Sequence, residues 1–384
     1  MSSVEEFRTE IRDWLREQLG GEFAGLKGRG GPGREHEAFA ERLAWERHMA
    51  AHGWTCVGWP REHGGRGASI EEQIAFHEEY ALADAPARVN HIGEQLLGPT
   101  LIAYGTEEQQ ARFLPPIVAV QELWCQGYSE PDAGSDLANV RTRAELDPGG
   151  GTWRVNGQKI WTSLAHESQW CFVVARTAPG SRRHAGLSYL LVPMDQPGVE
   201  VRPIVQLTGT SEFNEVFFDD ARTDAAHVVG AVGDGWRIAM ATLGFERGVS
   251  TLGQQVGFAR ELAALVELAR HTGALADPLV QDRLVRAWTG LEAMRAHARR
   301  GDVSPSVAKN HWARWHRDLG ELAMDVRGAA ALLAVPDARQ PYELDDWQRL
   351  FLFARADTIY AGSDEIQRNI IAERELGLPK EVRA

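Results

Sequence analysis

The chain has 384 residues, enough for two or three domains. Its 41 Lys and Arg against 54 Asp and Glu give a formal net charge of −13, which argues against a nucleic-acid partner, because displacing counterions needs a basic face. With 43% hydrophobic and 25% charged residues the chain is not disordered as a whole. No apolar run approaches the ~18 residues of a membrane span, and the charged, amphipathic first residues hold no signal-peptide core. Three cysteines, at 56, 125 and 171, lack CxxC spacing. They imply neither a disulfide framework nor a zinc site and fit a cytoplasmic protein.

Residues 1–120 read as a helical domain. Phe7, Ile11, Trp14, Leu15 and Leu19 recur at helical spacing, and Phe39, Leu43, His48 and Met49 begin a second such stretch. The loop Trp59-Pro60-Arg61-Glu62-His63-Gly64-Gly65-Arg66-Gly67 interrupts them. Ser69 with Glu72, and Thr106 with Gln109, carry the spacing of a capping box and predict helix starts.

Residues 121–233 change to a β texture. Trp153-Arg154-Val155-Asn156-Gly157-Gln158-Lys159-Ile160-Trp161 predicts a hairpin turning at Asn-Gly. Further strands are expected over 170–175, 187–192, 199–204 and 215–219, with Pro179-Gly180 and Pro197-Gly198 as breakers. Residues 234–384 return to helices, over 235–270, 278–300, 305–335 and 345–360; Pro278 and Pro305 suit first-turn positions. The expected class is α+β: an N-terminal helical domain, a middle β-barrel or sandwich, and a C-terminal four-helix bundle.

Three segments carry chemistry. Gln126-Gly127-Tyr128-Ser129-Glu130-Pro131-Asp132-Ala133-Gly134-Ser135-Asp136 is a loop of hydroxyls and amides, neither a Rossmann fingerprint nor a P-loop. Lys159-Ile160-Trp161-Thr162-Ser163 sets an aromatic beside two hydroxyls. Tyr360-Ala361-Gly362-Ser363-Asp364-Glu365-Ile366-Gln367-Arg368-Asn369 is a turn that opens a final helix. In this order, and with Trp59-Pro60 to Gly67 and Tyr104-Gly105-Thr106-Glu107-Glu108-Gln109, they resemble the acyl-CoA dehydrogenase family over nearly the whole chain.

The resemblance implies FAD as cofactor. Trp161 would lie against the flavin ring with Ser163 near its N5, and Ser129 would bond the pyrimidine edge; Gln126 and Tyr128 belong to the same cofactor-binding segment. Ser135 would stand where flavin and the substrate's pantetheine arm meet, and Ser363 would hold the cofactor from the last domain. A flavin needs amides and hydroxyls at its polar edge and an aromatic wall on its ring.

Many members of the family carry the catalytic base between the Tyr and Gly of the third segment, where this chain has Ala361. The long-chain and isovaleryl types place it instead before an arginine early in the last domain. Glu246-Arg247, after Leu243-Gly244-Phe245, matches that pattern. Glu246 is therefore expected to be the base, with Arg247 beside the substrate. The Ala361 N–H would still hold the thioester carbonyl and stabilise the charge that develops as the α-proton leaves. The expected reaction is oxidation of an acyl-CoA to its trans-2-enoyl product, with an electron-transfer flavoprotein as acceptor. A same-fold oxidase, a dehydrogenase acting on acyl-carrier-protein thioesters, and a non-catalytic partner subunit are the alternatives.

Arg270 and Gln281, eleven apart, match the pair that completes a neighbouring subunit's FAD in the family. The phenylalanine expected after Arg270 is missing from Arg270-His271-Thr272-Gly273, and a glycine-rich signature is reduced to Asp325-Val326-Arg327-Gly328-Ala329-Ala330. The expected assembly is a homodimer, a homotetramer, or a hetero-oligomer with a related chain, as in bacterial members acting on bulky steroid side chains. Two further features read as ordinary structure. His48 and His52 lack an HExxH context. Arg295, His297, Arg299 and Arg300 suit a solvated helix end better than a CoA phosphate clamp.

Overall fold

The computed structural model describes residues 3–245, 250–300, 304–333 and 343–380. The chain forms two compact units. The first comprises Met1–Glu79 with Ala83–Gly248, and the second Tyr80–Leu82 with Val249–Ala384.

The helices at the start of the chain are α1 (Ser3–Gln18), α2 (Phe39–Ala51), α3 (Ile70–Leu82), α4 (Gly98–Tyr104) and α5 (Glu107–Val118). α1 buries Phe7, Ile11 and Leu15, the stripe that the spacing anticipates. Both capping boxes form. The Glu72 N–H donates to Ser69 Oγ at 3.3 Å and the Ser69 N–H to the Glu72 carboxylate at 2.8 Å. Thr106 and Gln109 exchange the same pair of bonds.

Eight strands follow: β1 (Trp124–Gly127), β2 (Arg143–Leu146), β3 (Thr152–Ser163), β4 (Trp170–Arg176), β5 (Leu187–Pro193), β6 (Val199–Ile204), β7 (Phe213–Asp224) and β8 (Val228–Val229). They make one sheet in the order β6-β7-β3-β2-β4-β5-β8, with β1 paired to β4. Alternation along β4 and β5 divides their side chains between two cores. Phe172, Val174, Leu187, Tyr189 and Leu191 join one that includes Trp59, Leu97, Phe113 and Trp124. Cys171, Val173, Ala175, Leu190 and Val192 join the other, with Val155, Val216 and Phe218. A strand covered on both faces reads as a continuous apolar run, and this one does.

The expected hairpin at Asn156-Gly157 does not form; β3 runs unbroken through it, antiparallel to β7. The register there slips by one residue, because β7 carries an extra residue between Phe218 and Ala221, where Asp220 has φ 53°. Asn156 satisfies this bulge by exchanging bonds with Asp220, Nδ2 to Oδ1 and Oδ1 from N–H, both at 3.0 Å. Gly157 is needed for a close approach, since a Cβ there would lie 2.5 Å from Thr142 Oγ1. Asn-Gly thus serves a β-bulge and a crowded crossing, two uses that share composition with a turn.

α6 (Gly235–Phe245) closes the described part of the first unit. The second unit holds α7 (Ser250–Thr272), α8 (Pro278–Arg300), α9 (Pro305–Arg327), α10 (Asp346–Asp357) and α11 (Asp364–Ile370). Phe258, Leu262 and Leu265 of α7, Leu284 and Leu291 of α8, and Trp315, Leu319 and Leu322 of α9 form its core, with Trp347 and Leu350 of α10 packed against them. Helix α9 ends at Arg327 with Gly328 at its C-cap, short of the stretch to 335 that the sequence suggested. Among the described residues no helix is long and apolar enough to cross a membrane.

Candidate flavin and thioester site

The second irregularity of β3 builds the more informative part of the first unit. Lys159 pairs with Val216 but Thr162 with Asn214, so β3 holds one extra residue between them. Trp161 sits in this bulge with φ 60°, a left-handed conformation that costs a bulky residue about 1–2 kcal/mol. Its indole is 55% exposed, with only the edge of Phe213 against it at 6.2 Å between centroids. Strain and exposure of a large aromatic together mark a side chain shaped for a ligand rather than for the core.

The segment that precedes Glu130 is fastened to this bulge. The Ile160 N–H donates to the Ser129 carbonyl at 2.9 Å. Lys159, with no exposed surface, spends its three ammonium protons on the Tyr128 carbonyl at 3.0 Å, the Val174 carbonyl at 2.8 Å and Glu130 Oε1 at 2.9 Å. Glu130 is buried as well and accepts from the Arg141 and Thr142 N–H groups. Burial pushes the Lys159 ammonium down from its ordinary value and Glu130 pulls it back up, with a net lowering. Glu130, raised by burial, is held below the carboxylate range by Lys159 and its N–H donors. This buried pair is the peg that keeps Ser129 beside Trp161.

The structure therefore brings Gln126, Tyr128, Ser129, Trp161 and Ser163 onto adjoining segments of one unit. Gln126 is half-buried on β1, and its Nε2 has no hydrogen-bond partner among the described residues. Tyr128 packs edge-on against Phe172 and Tyr189. Ser163 is half-buried at the end of β3, and Ser135 is exposed in the loop that follows Ala133. On the other side of Trp161, the Thr162 carbonyl accepts from buried Asn214 Nδ2 at 3.0 Å.

The remaining candidates lie in the second unit. Ala361 occupies a turn with φ 52°, and its carbonyl accepts from Gln367 Nε2 at 2.9 Å, Gln367 being fully buried. Ser363 caps α11 by accepting from the Ile366 N–H. Arg270, exposed in the last turn of α7, pairs with Glu267 at 2.6 Å. Gln281, also exposed, donates to the Leu275 carbonyl. Glu246 and Arg247 lie outside the described residues.

The sequence reading missed Lys159, Glu130 and Gln367 as the groups that set these backbones. A signal existed for Lys159. Counting by twos from buried Trp153 and Val155 puts it on the inward face, where a lysine needs a carboxylate partner. His48 and His52 pack as rings on Trp14 instead of forming a site. Among the described residues no group of three or more His, Cys, Asp or Glu could hold a metal ion.

An exposed aromatic wall, a buried unpartnered amide and strand-end hydroxyls define a protein that takes a flat ring with a polar edge, as flavoproteins do. Comparison with known families is specific. Residues 2–121, 125–221 and 233–376 match, in turn, the N-terminal, middle and C-terminal domains of acyl-CoA dehydrogenase. The chain is 68% identical to acyl-CoA dehydrogenase IpdE1 of Mycobacterium tuberculosis and 66% identical to its namesake in Mycolicibacterium smegmatis, over the full length of each. Among solved structures it is similar to the Tcur3481-Tcur3483 steroid ACAD, with TM-score 0.83, 29% identity and 99% of each chain covered. The ChsE4-ChsE5 complex from M. tuberculosis gives TM-score 0.80 at 30% identity, again over 99% of each chain. The chain belongs to the acyl-CoA dehydrogenase family. It is an FAD-dependent oxidoreductase acting on acyl-CoA, and Trp161 and the Gln126 amide fit the ring of that cofactor.

Proposed function

We propose that this chain catalyses α,β-dehydrogenation of a bulky acyl-CoA thioester to the trans-2-enoyl-CoA, with Glu246 as the base that takes the α-proton. FAD, when bound, supplies the acceptor for the β-hydride. On this reading Trp161 walls the ring, Gln126, Tyr128, Ser129 and Ser163 serve its polar edge, and Ser363 holds the cofactor from the second unit. Ser135 and Arg247 face the substrate. The Ala361 N–H holds the thioester oxygen, so that negative charge arriving there on loss of the α-proton meets a fixed donor. A glutamate against acyl and ring surfaces is partly desolvated, which raises its proton affinity toward working pH.

The observation that carries the reading is the Trp161 bulge, pinned to Ser129 by the Ile160 N–H and to Glu130 by Lys159. The bulk of the acyl group is supported by the likeness to a protein titled a steroid ACAD. Two of the similar structures are of paired chains, and this supports a hetero-oligomer in which an unlike subunit completes the FAD site with contacts that Arg270 and Gln281 supply elsewhere in the family. An electron-transfer flavoprotein is the proposed acceptor.

Glu246→Gln tests the base. The variant should keep its FAD and lose about a hundredfold or more of both flavin bleaching by acyl-CoA and α-proton exchange into deuterium oxide. Undiminished exchange and bleaching would remove Glu246 from the mechanism.

A further inference from the structure

The turn that carries Ala361 hangs from a polar chain buried in the second unit. His316 of α9 is 9% exposed. Its Nδ1 meets Asp357 Oδ2 of α10 at 2.6 Å, and its Nε2 meets Glu261 Oε2 of α7 at 3.1 Å. Asp357, 2% exposed, uses its second oxygen, Oδ1, to accept from the Tyr360 hydroxyl at 2.5 Å. Its carbonyl accepts from Lys309 Nζ, also buried and also on α9. One imidazole thus ties three helices together, and the last link of the chain is the residue before Ala361.

The rest of the turn is held from other directions. Asn310 Nδ2 donates to the Asp364 carbonyl at 3.2 Å and Arg314 Nε to Asp364 Oδ2 at 2.7 Å. The Asp364 N–H returns to the Thr358 carbonyl at 3.0 Å, and Gln367 clasps the Ala361 carbonyl. A helix interior needs no such investment to be stable. Four polar side chains of α9, at 309, 310, 314 and 316, converge on a stretch of eight residues, 357–364, whose centre is a non-glycine residue at φ 52°.

We propose that His316 is a positioning residue: by bridging Glu261 to Asp357 it holds Tyr360, and through it the Ala361 turn, where the thioester oxygen requires its donor. The inference rests on the role given to Ala361 above. A donor aimed at an oxyanion acts only if it is in place before charge develops, and displacement by about 1 Å costs on the order of a hundredfold in rate.

The charge state suits the task. Burial alone would lower the imidazole, but the bonds to Asp357 and Glu261 outweigh it and raise His316 to about 9. An imidazolium donates from both nitrogens, which is what two carboxylates on opposite sides demand. The titratable and charged groups around it among the described residues are Glu261 from α7, Asp357 from α10, Tyr360 from the turn and Lys309 from α9 itself; Phe258 covers the ring at 4.7 Å.

The test compares FAD-loaded wild type with His316→Gln and with Tyr360→Phe, which cuts the last link and leaves the helices their buried pair. Two readouts are taken: amide hydrogen exchange of the peptide spanning 357–366, and kcat per bound FAD against KM. The expected result is faster exchange confined to that peptide, kcat lower by about tenfold and KM within about twofold. The alkaline fall of kcat near pH 9 should be absent from His316→Gln. Unchanged exchange in Tyr360→Phe would overturn the strut, whatever the activity. Faster exchange with unchanged kcat per FAD would overturn the positioning role. A wild type with no dehydrogenase activity would instead fail the functional reading, and the exchange comparison would still decide the strut.

Discussion

Lys159 is an ammonium with no surface in water, and every one of its protons is spent inside the first unit. Desolvating a charge costs several kcal/mol and is recovered only when all its hydrogen-bonding capacity is used. Here it is used on two backbone carbonyls from separate segments and on one carboxylate. The pair does more than satisfy itself, because Tyr128 and Glu130 flank Ser129 and Lys159 stands two residues before Trp161. Lys159→Met keeps the volume of the stem but leaves Glu130 buried with only its N–H donors. Breaking a buried pair in this way should cost about 3–5 kcal/mol. Urea unfolding measures the loss, and FAD retention after dialysis should fall with it because the Ser129 segment is no longer tethered to β3. An unchanged urea midpoint would show that Lys159 is not the peg.

At the scale of elements, the sequence made most of the fold legible where one local rule decided the outcome. The capping boxes at Ser69 and Thr106, the stripe of α1, the strand over 199–204 and the proline starts of α8 and α9 each follow from side chains within a few residues. What stayed hidden depends on partners far along the chain. Asn156-Gly157 is a turn signal only if nothing crosses it. Asp220 and Thr142, remote in sequence, make it a bulge and a crossing. The flavin-facing residues were legible as motifs, whereas Trp161's left-handed backbone follows from a register slip against β7 that one strand's sequence cannot reveal.

The polar face of α9 belongs to the same hidden class, and it has a pH signature. An unfolded histidine titrates near 6.5, while His316 in the folded chain holds its proton up to about 9. Between these values the folded state binds a proton that the unfolded state has released. The stabilisation is therefore complete below about pH 6.5 and is lost as pH rises through about 9. A shift of this size corresponds to roughly 3 kcal/mol. Chemical unfolding from pH 6 to 10 should show the wild type weakening across that window and His316→Gln flat through it. Parallel curves would mean that another group carries the loss.

Across the whole molecule, the question is whether one kind of chain completes the cofactor site. The Asp325 to Ala330 segment, where related chains present a glycine-rich signature to a neighbour's pyrophosphate, carries charges that are satisfied at home: Arg283 pairs with Asp325 and Arg327 with Asp345. An acidic residue and an already paired arginine are poor company for a dianion, and Arg270 beside Glu267 is half-neutralised in the same way. A self-assembled oligomer would have to place these groups against the phosphates of FAD at the expense of their own pairs. The chain expressed alone should consequently hold well under one FAD per subunit, and co-expression with a related chain should raise the flavin content and fix a two-chain mass. Absorbance at the flavin maximum against protein mass, with and without that second chain, measures both. About one tightly held FAD per chain in a homodimer or homotetramer would defeat the hetero-oligomer and return Arg270 and Gln281 to the role they have elsewhere in the family.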